Sequence, residues 1–117
     1  MIKGVHTMFY SSDADGLRIF FRDKLGFKAN DIGNGWLIFD LPEADMGVHP
    51  ADEGHGAPSG TADISFYCED IESTVKELKE KGVIFKGEIE DHGYGLVTYL
   101  QAPGDFWIQL YQPRYGK

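Results

Sequence analysis

The chain says nearly the same thing twice. Tyr10 and Tyr67 stand 57 residues apart, as do Asp13 and Asp70. Phe27-Lys28 recurs as Phe85-Lys86 at an offset of 58, and Gly33-x-Gly35 as Gly93-x-Gly95 at 60. A shared Gly-x-Gly alone carries little weight. An ordered set whose offset drifts by the length of a small loop insertion is the mark of an internal repeat. A fold for this chain must therefore be built from two similar units.

Hydrophobic periodicity fills in each unit. Gly4 to Tyr10 alternates, with Val5, Thr7 and Phe9 against His6, Met8 and Tyr10, and reads as a strand. Ser11-Ser12-Asp13 offers N-cap side chains, and Leu17, Phe20, Phe21 and Leu25 form the stripe of a helix that Gly26 ends. Strands are expected over Phe27–Ile32, Trp36–Leu41 and Asp45–His49, the first two joined by a Gly33-Asn34-Gly35 turn. Pro50 to Gly60 reads as a loop.

The order then restarts. Ala62–Cys68 is the strand, Asp70 caps a helix with the stripe Ile71, Val75 and Leu78, and Gly82 ends it. Strands over Ile84–Ile89, Leu96–Leu100 and Phe106–Tyr111 follow, with turns at Gly93-Tyr94-Gly95 and Pro103-Gly104. The expected fold is α+β: two tandem βαβββ units forming a mixed-sheet cup. The whole chain, 1–117, is one domain, with unit 1 at about 2–50, a linker at 51–60 and unit 2 at about 61–112.

Sorting the first and last strands of each unit by parity separates two faces. Val5, Thr7, Phe9; Met46, Val48; Ile64, Phe66, Cys68; and Phe106, Ile108, Leu110 are almost wholly apolar and are expected under the helices. The opposite sets mix polar and aromatic groups: His6, Met8, Tyr10; Asp45, Gly47, His49; Asp63, Ser65, Tyr67; and Trp107, Gln109, Tyr111. None of them contains Lys or Glu, which bulk water would favour. They read as the lining of a concave pocket.

Composition excludes several partners. A net charge of −8 argues against a nucleic-acid backbone and an anionic membrane surface. The chain has no long apolar run and no signal-peptide pattern, and its lone Cys68 cannot pair internally, so a cytoplasmic location is expected. On the helix-facing parity, Cys68 reads as a small core residue. His55 and His92 fall in Gly-rich loops and read as solvated.

The duplicated unit, the opening Val-His-Thr-Met strand, Asp13 before a helix with Phe20-Phe21, and the Leu25-Gly26-Phe27 ending resemble the vicinal oxygen chelate superfamily. That group includes glyoxalase I, bleomycin-resistance proteins and extradiol dioxygenases. The resemblance spans about Ile2 to Gln112. It implies a cup that holds a divalent metal in the enzymes and, commonly, a homodimer. Carried over by position, the ligand places fall on His6, on Gly47 or His49, on Asp63 and on Gln109. Only His6 matches the glyoxalase I pattern. Gly47 has no side chain where a glutamate is usual, Asp63 replaces a histidine, and Gln109 replaces a glutamate that often serves as base. A carboxamide can ligate but accepts no proton at neutral pH.

Two readings follow. In the first, a noncanonical site of His6, His49, Asp63 and Gln109 holds Zn, Mn, Fe or Ni, and the protein is a lyase, isomerase or dioxygenase for a small oxygenated molecule, with Asp63 the catalytic carboxylate. In the second, the same pocket, lined by Met8, Tyr10, Ser65, Tyr67, Trp107 and Tyr111, sequesters a small molecule without metal or catalysis.

Overall fold

Aspartate side chains start both helices. Asp13 accepts from the Gly16 amide at 3.0 Å and opens α1 (Ala14–Asp23); Asp70 accepts from the Ser73 amide at 3.2 Å and, further along, opens the second helix. A side chain on Gly16 would collide with the Asp13 carboxylate, since an added Cβ would lie 2.2 Å from its Oδ2. In this computed structural model the described residues are 6–41, 43–44, 48 and 50–114.

After α1 come β1 (Lys28–Asp31) and β2 (Leu37–Asp40), an antiparallel pair, and a single 3-10 turn at Glu53–His55. Then follow β3 (Ser65–Tyr67), α2 (Ile71–Glu80), β4 (Glu90–Asp91), β5 (Gly95–Ala102) and β6 (Phe106–Pro113). The last four strands form a mixed sheet in the order β3-β6-β5-β4, with β3 and β6 parallel and the other neighbours antiparallel. The α+β fold is as expected, and no helix among the described residues is long and apolar enough to cross a membrane.

Matching devices recur at the offsets seen in the sequence. The Gly33 amide donates to Asp31 at 2.8 Å, and the Gly93 amide to Asp91 at 2.9 Å. At the helix ends, Lys24 Nζ donates to the Lys81 carbonyl at 2.7 Å and Lys81 Nζ to the Lys24 carbonyl at 3.4 Å. Each lysine thus places its charge against the negative end of the other helix.

The core lies between the helices and the sheet. Leu17, Phe21, Ile71, Val75, Leu78, Leu100, Ile108 and Leu110 are buried there as one cluster. Phe21 is its hub. Its ring stands 5.3 Å from Phe9, 5.7 Å from Phe39, 5.8 Å from Phe27 and 5.9 Å from Phe66. These separations suit tilted and edge-on ring pairs. They join the N-terminal segment, α1, β2 and β3 into one apolar body.

Several boundaries differ from the sequence reading. His6 to Tyr10 lies outside the strands, and the expected alternation holds only in part: Phe9 packs into the core and His6, Met8 and Tyr10 are exposed, but Thr7, expected under the helices, is exposed as well. The expected strand Asp45–His49 lies outside the described residues except for Val48, which is 94% exposed rather than under a helix. Ile84–Ile89 is reduced to a bridge between Phe85 and Leu100, because Gly87 turns into the left-handed region at φ 72° and breaks the ladder. Pairing resumes only at β4. By contrast β5 and β6 run on to Ala102 and Pro113, since their tight turn lets the ladder close fully.

Candidate functional site

Strand register decides which side chains meet on the face turned away from the helices. Gln109 on β6 lies between Ser65 on β3 and Tyr99 on β5, and directly paired residues share a face. One step along, Tyr111 lies between Tyr67 and Val97; one step back, Trp107 pairs with Gln101. The predicted alternation of Trp107, Gln109 and Tyr111 against Phe106, Ile108 and Leu110 is what brings the first set together.

Gln109 is the centre of a hydrogen-bond network. Its Oε1 accepts from Ser65 Oγ at 2.8 Å, and its Nε2 donates to the hydroxyls of Tyr99 at 3.1 Å and Tyr94 at 3.3 Å. Around it stand aromatic rings: Tyr111 lies 5.9 Å from Tyr67 and 6.0 Å from Tyr94, and Tyr94 meets His92 edge-on at 6.1 Å. The Tyr67 hydroxyl donates to Glu43, so one end of the face carries a carboxylate. Val97 is 1% exposed yet stands outside the main core, which gives this end an apolar floor. At the other end Lys86 Nζ lies 5.7 Å from the centre of the Trp107 ring, which is 40% exposed.

The rim beyond Tyr94 is held by an ion pair. Arg114 donates to both oxygens of Asp91, at 2.6 and 2.7 Å. These bonds, with the Gly93 amide after them, hold the Asp91 carboxyl below the usual carboxylate range, and Asp91 in turn raises Arg114. A lowered carboxyl stabilises the fold above its ordinary range, and that contribution is lost as pH falls through the lowered one. Asp91→Asn is therefore expected to lower the melting temperature slightly at neutral pH, the effect being small because both groups are exposed. The gap from the parent should close in acid, once the pH falls below the lowered range of the Asp91 carboxyl. A gap of unchanged size there would remove the ion pair as its cause.

The structure brings together Ser65 and Gln109, and Tyr67 and Tyr111. His6, Met8, Tyr10 and Asp63 are exposed, and among the described residues no hydrogen bond or ion pair ties His6 or Asp63 to the network. Asp63 stands two residues ahead of β3. His49 lies outside the described residues.

The donor set decides whether these positions fit a divalent ion. Among the described residues no three His, Cys, Asp or Glu side chains stand close enough to hold one. Among the described residues His6 and Asp63 belong to no such group, and the carbonyl oxygen of Gln109 accepts from Ser65. Cys68 is no nucleophile either: burial pushes its thiol up, and its Sγ lies 3.7 Å from the Tyr111 carbonyl.

Sequence reasoning missed Tyr94, Tyr99, Val97 and Glu43. Parity of the strand between the Gly93-Gly95 and Pro103-Gly104 turns, with Val97 and Tyr99 opposite Leu96, Thr98 and Leu100, carries the signal for two of them. The segment after Phe85 and β4 also bring Lys86 and Glu90 to this face, so it is not free of charge.

A family model described as the Glyoxalase/Bleomycin resistance protein/Dioxygenase superfamily matches residues 3–110. Among solved structures, the chain is similar to TnmS3, an antibiotic binding protein from Streptomyces sp. CB03234, at 21% identity with a TM-score of 0.64, covering 97% of this chain and 99% of that one. It is similar to a member of the same superfamily from Sphaerobacter thermophilus DSM 20745 at 24% identity and a TM-score of 0.62, covering 95% and 98%. It is also similar to the lactoylglutathione lyase of Agrobacterium tumefaciens at 14% identity and a TM-score of 0.63, covering 91% and 90%. At these identities the likeness is one of fold. No protein with a curated description matches the chain.

Proposed function

The chain belongs to the Glyoxalase/Bleomycin resistance protein/Dioxygenase superfamily, and from that premise we propose that it binds a small, partly aromatic molecule on the tyrosine-lined face of its four-stranded sheet, without a metal. The observation that carries this reading is the engagement of Gln109. Its carboxamide is held from both sides by Ser65, Tyr94 and Tyr99 as a hydrogen-bonding group, and a carboxamide takes up no proton at neutral pH. Tyr67, Tyr111, Tyr94 and Trp107 supply the flat apolar surface that such a ligand needs. An antibiotic binding protein is among the proteins that share this fold, which is compatible with a sequestering role.

A divalent-ion and chelator panel tests it. A ligand that binds only the folded state raises its stability by mass action. Zn, Mn, Fe, Ni and chelator are expected to leave the melting temperature within about 1 °C of the untreated protein, since a metal at a hundred times its Kd would add roughly 2.7 kcal/mol. A rise of several degrees with one ion, lost in His6→Ala or Asp63→Ala, would return the protein to the metal-dependent reading.

The reading extends to the organisation of the chain: two βαβββ units at about 2–50 and 61–112, in a cytoplasmic protein that works as a homodimer. Light scattering should give twice the chain mass; a single-chain mass at micromolar concentration would sink the dimer.

A further inference from the structure

We propose that the hydroxyls of Tyr94 and Tyr99 form a paired donor site for the carbonyl oxygens of a neutral, planar ligand. This rests on the binding reading above and names the class of molecule it takes. A carboxamide nitrogen carries two hydrogens and no acceptor. Gln109 Nε2 directs these at Tyr99 and Tyr94, 3.1 and 3.3 Å away, so both phenol oxygens act as acceptors toward the protein. Each phenol still has one hydrogen of its own. Among the described residues, neither is given to another protein group.

Ser65 completes this arrangement. Its Oγ donates to Gln109 Oε1 at 2.8 Å, on the side of the carboxamide away from the tyrosines. Both hydroxyls are then anchored on one nitrogen, no more than about 6 Å apart, which is a span that adjacent ligand oxygens can bridge. Tyr99 is half-buried and Tyr94 exposed, so the pair runs from the wall of the face to its opening. Donors fixed in advance in this way gain affinity because little ordering is left for the bound state.

The surroundings select a neutral ligand. Glu43 sits on Tyr67, and Glu90 is the register partner of Val97 on the same face. Arg114, the nearest cation on the rim, is taken by both oxygens of Asp91. Lys86 lies at the opposite end, over Trp107. An oxyanion beside Tyr94 would come near Glu90, whose carboxylate stands 3.5 Å from Nε2 of His92, with Arg114 already engaged by Asp91, whereas a carbonyl oxygen accepts without bringing charge. The rings of Tyr67, Tyr111 and Trp107 and the floor at Val97 select for a flat body.

Three probes of one size separate these features: 1-acetylnaphthalene, 1-ethylnaphthalene and 1-naphthoate, titrated into the full chain while tyrosine and tryptophan ring signals are followed by NMR. The ketone is expected to bind at least tenfold more tightly than the hydrocarbon and more tightly than the carboxylate. Tyr94→Phe should reduce its advantage three- to fivefold, and Tyr94→Phe with Tyr99→Phe should abolish it, leaving 1-ethylnaphthalene unaffected. Circular dichroism reports folding of each variant, and the single change at exposed Tyr94 keeps the test open if the double variant unfolds.

Equal affinity for ketone and hydrocarbon in the parent, or an advantage that survives both substitutions, overturns the donor pair while the binding reading stands. The reversed carboxamide orientation would give both phenol hydrogens to Oε1 and produce that first result. Tightest binding of 1-naphthoate overturns the neutral class. Failure of all three to bind overturns this inference and the binding reading together.

Discussion

Phe21→Ala is expected to lower the unfolding free energy by about 3–5 kcal/mol, the largest single loss available in this chain. Phe21 is 6% exposed and touches rings from the N-terminal segment, β2, β3 and the residue just before β1. Removing it leaves a void whose lining spans four parts of the fold, so no single element can move in to close it. A domain of this size has roughly 5–15 kcal/mol in total, so the variant should melt about 10–20 °C lower. Tyr10→Ala is the control: at 89% exposed it should change stability by less than about 0.5 kcal/mol. Urea denaturation with an unchanged m-value measures both. A loss below about 1 kcal/mol for Phe21→Ala would mean that the ring cluster is not what ties the chain together.

Gln109→Leu should have the largest effect on binding. It deprives Ser65 of its acceptor and Tyr94 and Tyr99 of their shared donor in one change. The stability cost is about 1–3 kcal/mol, because partly buried groups lose partners that water replaces only in part. Ligand affinity should fall by more than tenfold, since the hydroxyls are no longer held in place. Gln109→Glu separates packing from polarity. A carboxylate still accepts from Ser65, but it takes the phenol hydrogens instead of giving its own. Its fold should survive while binding of carbonyl ligands falls as far as in the leucine variant. Full binding by Gln109→Glu would show that the network shapes the site only by filling space.

Most of the architecture was legible because it rests on local chemistry. An aspartate at the start of an apolar stripe, a glycine at its end and Gly-x-Gly between strands act within a few residues, and both helices and all the strands from β1 to β3 fell within a residue or three of their expected places. Parity along β6 was legible for the same reason. The misses have a non-local cause. Whether Ile84–Ile89 forms a ladder depends on how Gly87 meets a neighbouring strand, and the length of β5 and β6 depends on their closing on each other.

The site shows the same division. Sequence placed Gln109, Ser65, Tyr67, Trp107 and Tyr111 on one face, and the register keeps them there. Position in the repeat also suggested a metal set of His6, His49, Asp63 and Gln109, but position says which strand a residue is on and not which atoms its side chain reaches. Tyr99 is ten residues from Gln109 in the chain and its direct neighbour across the sheet; Ser65 is forty-four away and its neighbour on the other side.

By itself the sequence determined the α+β class, the two faces of the last strand and the family to which the chain belongs, since periodicity and turn chemistry are properties of neighbours along the backbone. Only the tertiary structure decided what Gln109 does. A carboxamide can ligate, donate or accept, and the choice among these is made by whichever groups the sheet register sets within 3 Å or so of its two ends. Here those groups are a serine and two tyrosines.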